Sequence, residues 1–295
     1  MTKIGEFLRN YDIKANKYIK KGKVLFIDTN DGKYVLKQNK RDKSIYDYLN
    51  SRNFSYFPDI INNIEDEYEI TKYVRQVEMP IEQKELDMIS LVALLHLKTS
   101  YYKEIDNDLY KKIYEDLLNN IEYLYSYYID IIGLIETKVF MSPSEYLLAR
   151  NITKIFSTLR YLNEEIKEWY KLVEDKKKVR YAVLHNNLDV DHFIKNEDSY
   201  LVSWDKAKID MPIFDLYKFY LKNNESNFYD IIKKYEEIYP LLDEEKKLLL
   251  ILIKMPSLLE FNDNEYKNTV SIRKLLNNLD RSINIKLPNT TKDTE

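Results

Sequence analysis

Residues 185–192 read His-Asn-Asn-Leu-Asp-Val-Asp-His, so two imidazoles, two amides and two carboxylates share one short polar stretch, and a further carboxylate, Asp205, follows. Imidazoles and carboxylates are the side chains that move protons near neutral pH or hold a cation. They need elements that deliver them. An apolar run, Ala182-Val183-Leu184, reads as a strand leading into His185, and a second run, Tyr200 to Trp204, reads as a strand leading into Asp205. Phe193 and Ile194 begin a return and Lys195 to Ser199 are turn residues, so Phe193 to Asp205 reads as a β-hairpin. Such a hairpin holds a polar loop and an aspartate side by side.

Composition removes several other chemistries. The chain has no cysteine, which excludes disulfides, thiol nucleophiles and cysteine metal sites. Its three histidines, His96, His185 and His192, are too few and too scattered to specify zinc. Only 4 glycines occur in 295 residues, so a G-x-G-x-x-G phosphate loop is ruled out. With 46 basic against 49 acidic residues the net charge is −3, which gives neither a nucleic-acid footprint nor an acidic tail. No apolar run approaches a membrane span and the first residues lack a signal-peptide core, so the expectation is a cytoplasmic protein with no nucleic-acid or membrane partner. A hydrophobic fraction of 44% beside 32% charged residues is that of an ordinary globular chain, long enough for one large or two intimate lobes.

Taken in order, residues 3–16 carry Ile4, Phe7, Leu8 and Tyr11 at helical spacing and predict a leading helix. Val24 to Ile27 and Tyr34 to Leu36 flank Thr29-Asn30-Asp31-Gly32, a strong hairpin signal. Phe57 to Ile61 and Tyr68 to Val74 are expected to complete a small antiparallel sheet, with a hinge from Arg75 to Pro80. Helical patterning then dominates: a segment after Pro80, residues 106–135 and 144–175 with Ser142 as cap and Pro143 at the first helical position, then Pro212 to Leu221, 226–239, 243–261 and 265–283. This predicts an α+β chain divided into residues 1–75, residues 76–285 and a frayed tail, 286–295.

The central stretch resembles the aminoglycoside phosphotransferase and choline kinase families, small-molecule kinases of the protein-kinase-like fold, whose loop reads H-G-D-L-x-x-x-N with a metal aspartate on the next hairpin. His185, Leu188 and Asp205 match, and Pro212 with Asp215-Leu216 matches the family's P-x-x-D-L segment. Leu94-Leu95-His96 resembles the family's L-x-x-L-H segment, with His96 read as a packing and hydrogen-bonding residue. Asn186 replaces the glycine, Asn187 the catalytic aspartate and His192 the metal-binding asparagine. The resemblance implies a two-lobe fold, a small sheet lobe of nucleotide-binding type followed by a helical lobe. It also implies that Lys37, at the end of Val35-Leu36-Lys37, holds nucleotide phosphates with a carboxylate partner on the following helix, where Asp42 and Asp47 are the available acids. On the residues alone, the better reading of Lys37 is an edge-strand lysine kept for solubility.

The implied catalytic positions are Asn187, Asp189 and His185, the implied metal positions Asp205 and His192, and the implied ligands ATP and magnesium, with binding of either weakened or lost. Asn187 cannot accept a proton at neutral pH, and His192 offers nitrogen where magnesium prefers oxygen. Asp189 or Asp191 taking over base or metal duty is the competing reading. The expected function is a pseudokinase with a binding or scaffolding role toward a nucleotide, a small molecule or a protein partner, similar to degenerate spore-coat kinase-like proteins. The alternative is an active ATP-dependent kinase for aminoglycoside- or choline-like substrates, so whether the chain is an enzyme stays open.

Overall fold

The computed structural model describes residues 3–40, 42–63, 65–105, 108–223, 226–285 and 287. The expected tail, 286–295, therefore lies outside the described residues except at Leu287. The chain opens with α1 (Lys3–Arg9), β1 (Ala15–Lys21), β2 (Val24–Thr29), β3 (Gly32–Gln38), α2 (Lys43–Ser51) and β4 (Tyr68–Lys72). It continues with α3 (Ile81–Thr99), β5 (Tyr101–Glu104), α4 (Asp108–Glu136), α5 (Pro143–Val173) and β6 (Lys178–Leu184). After a 3₁₀ turn at Val190–His192 come β7 (Phe193–Lys195), β8 (Ser199–Leu201), a second 3₁₀ turn at Trp204–Lys206, and β9 (Lys208–Asp210). Helices α6 (Ile213–Lys222), α7 (Phe228–Glu236), α8 (Asp243–Lys254) and α9 (Glu265–Ile283) complete it.

The first four strands form one antiparallel sheet in the order β1-β2-β3-β4. Asn30-Asp31 turns the chain between β2 and β3 with Thr29 opposite Gly32, and Gly32 takes φ +141°, a value open to glycine alone. β1 escapes sequence patterning because six of its seven residues are exposed and its lysines hide any alternation. The leading helix stops at Arg9 instead of reaching residue 16. Asp12 turns to φ 56° and the Ile13 amide donates back to the Leu8 carbonyl at 3.0 Å, closing the helix and burying both side chains. Residues 57–61 contribute a single bridge, Ile60 to Thr71, in place of the expected strand, since Pro58 has no N–H to give to a ladder.

Alternation along the strands sorts this sheet into two faces. Ile27, Leu36 and Ile70 pack with Leu8 and Ile13 on one side. Phe26, Val35, Lys37, Glu69 and Thr71 face the other side, toward a cavity. Lys37 reaches that cavity because its neighbour Leu36 is committed to the core.

The described residues fall into two compact units. One holds Met1–Tyr101, Tyr181–Ser226 and Glu237–Tyr239, and the other Tyr102–Arg180, Asn227–Glu236 and Pro240–Glu295. In the second unit α5 packs on α4, α8 and α9. Ser142 and Glu145 form a capping box with Pro143 opening α5, as the sequence predicts. α8 stops at Lys254 rather than 261, because Pro256 pushes Met255 out of helical geometry. No described helix is long and apolar enough to cross a membrane.

Candidate functional site

All the residues of the polar stretch lie in the first unit. β6 pairs with β9, Ala182 opposite Asp210, and ends at Leu184, so His185 opens the loop from a fixed strand end. The backbone amides of His185 and Asn186 donate to Asp215 at 2.8 and 2.7 Å, and His96 Nε2 lies 3.2 Å from the same carboxylate. Asp215 and His96 are both fully buried. The first turn of α6 and the end of α3 thus pin the start of the loop. Asn186 adopts φ 59°, and asparagine is the residue that best tolerates this conformation after glycine, which explains how the turn survives the replacement. Its amide donates to the Lys206 carbonyl at 2.7 Å and accepts from the Lys218 ammonium.

Asn187 accepts from Lys222 Nζ at 3.3 Å through its side-chain oxygen and from His192 Nδ1 at 2.7 Å through its backbone carbonyl. Because a carbonyl can only accept, His192 carries its proton on Nδ1 and its other nitrogen is Nε2. Asp189 caps the 3₁₀ turn, accepting from the Asp191 amide at 3.1 Å, and lies 3.8 Å from Lys222. Asp191 is exposed and sits on the lining of the apolar cavity described below.

His185 itself is fully buried and donates from Nε2 to the Val202 carbonyl at 2.8 Å, leaving Nδ1 without a hydrogen-bond partner. Trp204 packs edge-on against its ring at 4.9 Å. Burial pushes the imidazole pKa down from the ordinary 6.5 to about 4, opposed in part by the nearby Asp215 charge. Between those values the unfolded chain binds more protons than the folded one, so His185 makes stability rise with pH through this window and fall as the pH drops. Acidification from pH 7 to pH 4 should cost about 3 kcal/mol through this residue. Urea midpoints across that range in wild type and His185→Asn would show it, since the variant should lose that share of the pH slope. Parallel slopes would refute the assignment.

The cleft under the sheet has two parts whose linings share Val24, Lys37, Tyr46, Glu69, His192 and Ser203. The inner part is a cavity of 310 Å³ lined by apolar side chains of β2 and β3, by Tyr73 and Val74 after β4, and by Leu201 and Trp204. The outer part, a cleft of 790 Å³, is lined by Lys20, Lys23, Lys37, Lys40, Asn187, His192 and Asp205 among others. Lys37 and Asp205 therefore border one cleft, whereas His185 lies buried beneath the loop and Asp189 does not line the opening. The apolar interior suits a flat base, and the lysine-rich mouth suits phosphates.

Lys37 forms its ion pair with Glu69 of β4 at 3.2 Å, and neither Asp42 nor Asp47 lies within ion-pair distance of it. β3 and β4 place Lys37 directly opposite Glu69, so the sheet register makes the pair. Asp42 instead caps α2, and its hydrogen bonds from the Ser44 side chain and amide hold its pKa below the usual carboxylate value. Asp47 is exposed on a separate groove beside Asp59. Tyr46 takes the cleft-facing position of α2, its ring 5.2 Å from Phe57. Glu69 was legible only as an alternating residue of its strand, and its role emerges from the pairing of strands.

Asp205 sits in the 3₁₀ turn after Ser203, which holds φ 67°. A left-handed serine is a rare conformation that concentrates at functional loops, and Ser203 borders both parts of the cleft. Two-magnesium phosphoryl transfer calls for converging oxygen ligands from the hairpin aspartate and the loop. Among the described residues no three histidine or acidic side chains converge on a point that could hold a metal. Asp205 offers a carboxylate, but His192 offers nitrogen and Asn187 has its amide oxygen on Lys222. This donor set does not fit a two-magnesium site.

No family model matches the sequence, and no curated protein is similar to it. Solved structures are. An aminoglycoside phosphotransferase from Alicyclobacillus acidocaldarius superposes with a TM-score of 0.66 at 8% identity, over 94% of this chain and 92% of that one. Spectinomycin phosphotransferase in its AMP-bound complex gives 0.57 at 12% identity, over 95% and 97%. A choline kinase from Streptococcus pneumoniae gives 0.51 at 15% identity, over 95% and 96%. The chain has the protein-kinase-like fold. Its small antiparallel sheet and mainly helical remainder are those of the aminoglycoside and choline kinases.

Proposed function

We propose that this chain is a pseudokinase: a cytoplasmic protein of the kinase-like fold that binds a nucleotide in the cleft below its sheet and acts by binding or scaffolding rather than by phosphoryl transfer. In this reading residues 1–75 form the nucleotide-type lobe and residues 76–285 the lobe that carries the altered loop. Lys37 serves the phosphates, Asp205 borders them, and a small molecule or a protein is the second partner. The observation that carries the reading is the state of Asn187. The sequence resemblance gives it the place of the acceptor-hydroxyl base, and its side-chain oxygen accepts a hydrogen bond from Lys222. An amide cannot take a proton at neutral pH, and loss of a positioned base forfeits ~10²–10⁴ in rate.

Asp189 is an unsuitable substitute, since it caps the 3₁₀ turn and pairs with Lys222. The nucleotide side of the proposal is supported by the apolar cavity joined to a lysine-lined mouth. It is supported also by the AMP carried by a spectinomycin phosphotransferase of the same fold.

The deciding experiment is a steady-state assay of ATP-dependent phosphorylation of aminoglycosides and choline, beside thermal shift with ATP. The expected result is a nucleotide shift with negligible turnover. Asn187→Asp alone should not restore a normal rate, because His192 still replaces an oxygen ligand and sites that act as a unit recover little from one repair. Robust wild-type turnover that disappears in Asp189→Ala or Asp191→Ala would establish an active kinase instead.

A further inference from the structure

We infer that the cleft takes its nucleotide without magnesium, the phosphate charge being met by lysines of the first hairpin and of β3. The inference rests on the nucleotide-binding reading above and adds the state in which the ligand binds. The mismatch between the donor set and a two-magnesium site is the first observation. The charge balance at the mouth is the second, and it is independent of the first.

Four lysines and three carboxylates, Glu67, Glu69 and Asp205, line the mouth. Glu67 is occupied by Lys3 at 2.9 Å and Glu69 by Lys37 at 3.2 Å. Among the described residues Lys20, Lys23 and Lys40 form no ion pair, so three ammonium groups remain against one carboxylate, Asp205.

A kinase cleft dominated by acids repels a polyphosphate until a divalent cation intervenes. Here the excess charge is already positive, and it comes from fixed positions. Lys20 and Lys23 flank the tight turn in which Lys21 stands opposite Val24 and Gly22 takes φ 58°. Lys40 follows the end of β3, the strand that carries Lys37. The lysines form a collar around the opening whose inner wall is Lys37. Ammonium groups neutralise phosphate as point charges and need no coordination geometry. Asp205, the residue that a metal would have to bridge to phosphate, is outnumbered by them.

The test is calorimetric titration of ATP and of adenosine into the full chain, in EDTA and in excess magnesium. The expected dissociation constants for ATP agree within about three-fold in the two buffers. Weakening by more than that in EDTA overturns the inference and leaves nucleotide binding standing. Absence of binding in both buffers removes the nucleotide reading itself. The variant Lys20→Ala/Lys23→Ala alters two exposed lysines, one near the end of β1 and one in the turn that follows it, both outside the core. In EDTA it should weaken ATP by at least about ten-fold while adenosine stays within about two-fold. Equal losses for ATP and adenosine, or no loss for ATP, would overturn the role given to the lysines.

Discussion

Asp215→Ala should lower the unfolding free energy of the first unit by about 3–5 kcal/mol, the range for removing one partner of a fully buried charged cluster. The carboxylate accepts from two consecutive backbone amides and approaches His96 Nε2, with Asp215, His96 and His185 fully buried and Asn186 half-buried. Alanine leaves the buried His185 amide with no acceptor and takes that of the half-buried Asn186 amide, and an unsatisfied buried group costs about 1–3 kcal/mol. Asp215→Asn should do little better, because its NH₂ group must face at least one of these donors. Urea unfolding followed by tryptophan fluorescence is a direct readout, since Trp204 packs on His185 at the head of this loop. A loss below about 1 kcal/mol for the alanine variant would mean that the loop is held by something other than Asp215. Nucleotide binding should weaken in parallel, because the turn that sets Asn187 at the cleft begins at the two pinned amides.

That cluster also shows where sequence reading reaches its limit. Asp215 was visible as part of a proline-aspartate-leucine segment and His96 as a hydrogen-bonding histidine, but 119 residues separate them and no spacing rule joins them. The small sheet was legible at Asp31-Gly32, where turn chemistry and alternation agree, and illegible at β1, whose lysine-rich exposed face carries no period. The strand before the polar loop and the hairpin after it were legible, but the 3₁₀ turns at Val190–His192 and Trp204–Lys206 were not, and the strand expected to run to Trp204 ends at Leu201.

Lys37 was assigned a partner on α2 by analogy with kinases, and the acids of that helix proved to be spent elsewhere, Asp42 on the helix cap and Asp47 on an exposed groove. Strand pairing decides such contacts. Glu69 belongs to no motif in the linear chain, yet it stands directly opposite Lys37 once β3 and β4 are in register.

Lys37→Met is the second large effect we expect, and it divides into a structural and a functional part. Glu69 is 5% exposed and Lys37 partly exposed, so removing the ammonium takes a close cation from a nearly buried carboxylate. The cost should be about 2 kcal/mol, below the range for fully buried pairs because Lys37 keeps some contact with water. ATP affinity should fall by at least about ten-fold, and adenosine affinity should hold within about two-fold, since Lys37 faces the mouth that suits phosphates. Adding Glu69→Met to Lys37→Met removes the carboxylate that lost its lysine and should recover part of the lost stability. It should recover none of the ATP affinity, because no cation returns to the inner wall of the mouth. Thermal melts and titrations on the two single variants and the double would separate these parts. If the double variant regained ATP affinity along with stability, Lys37 would be a purely structural residue of the sheet, and the phosphate-binding assignment would fail with it.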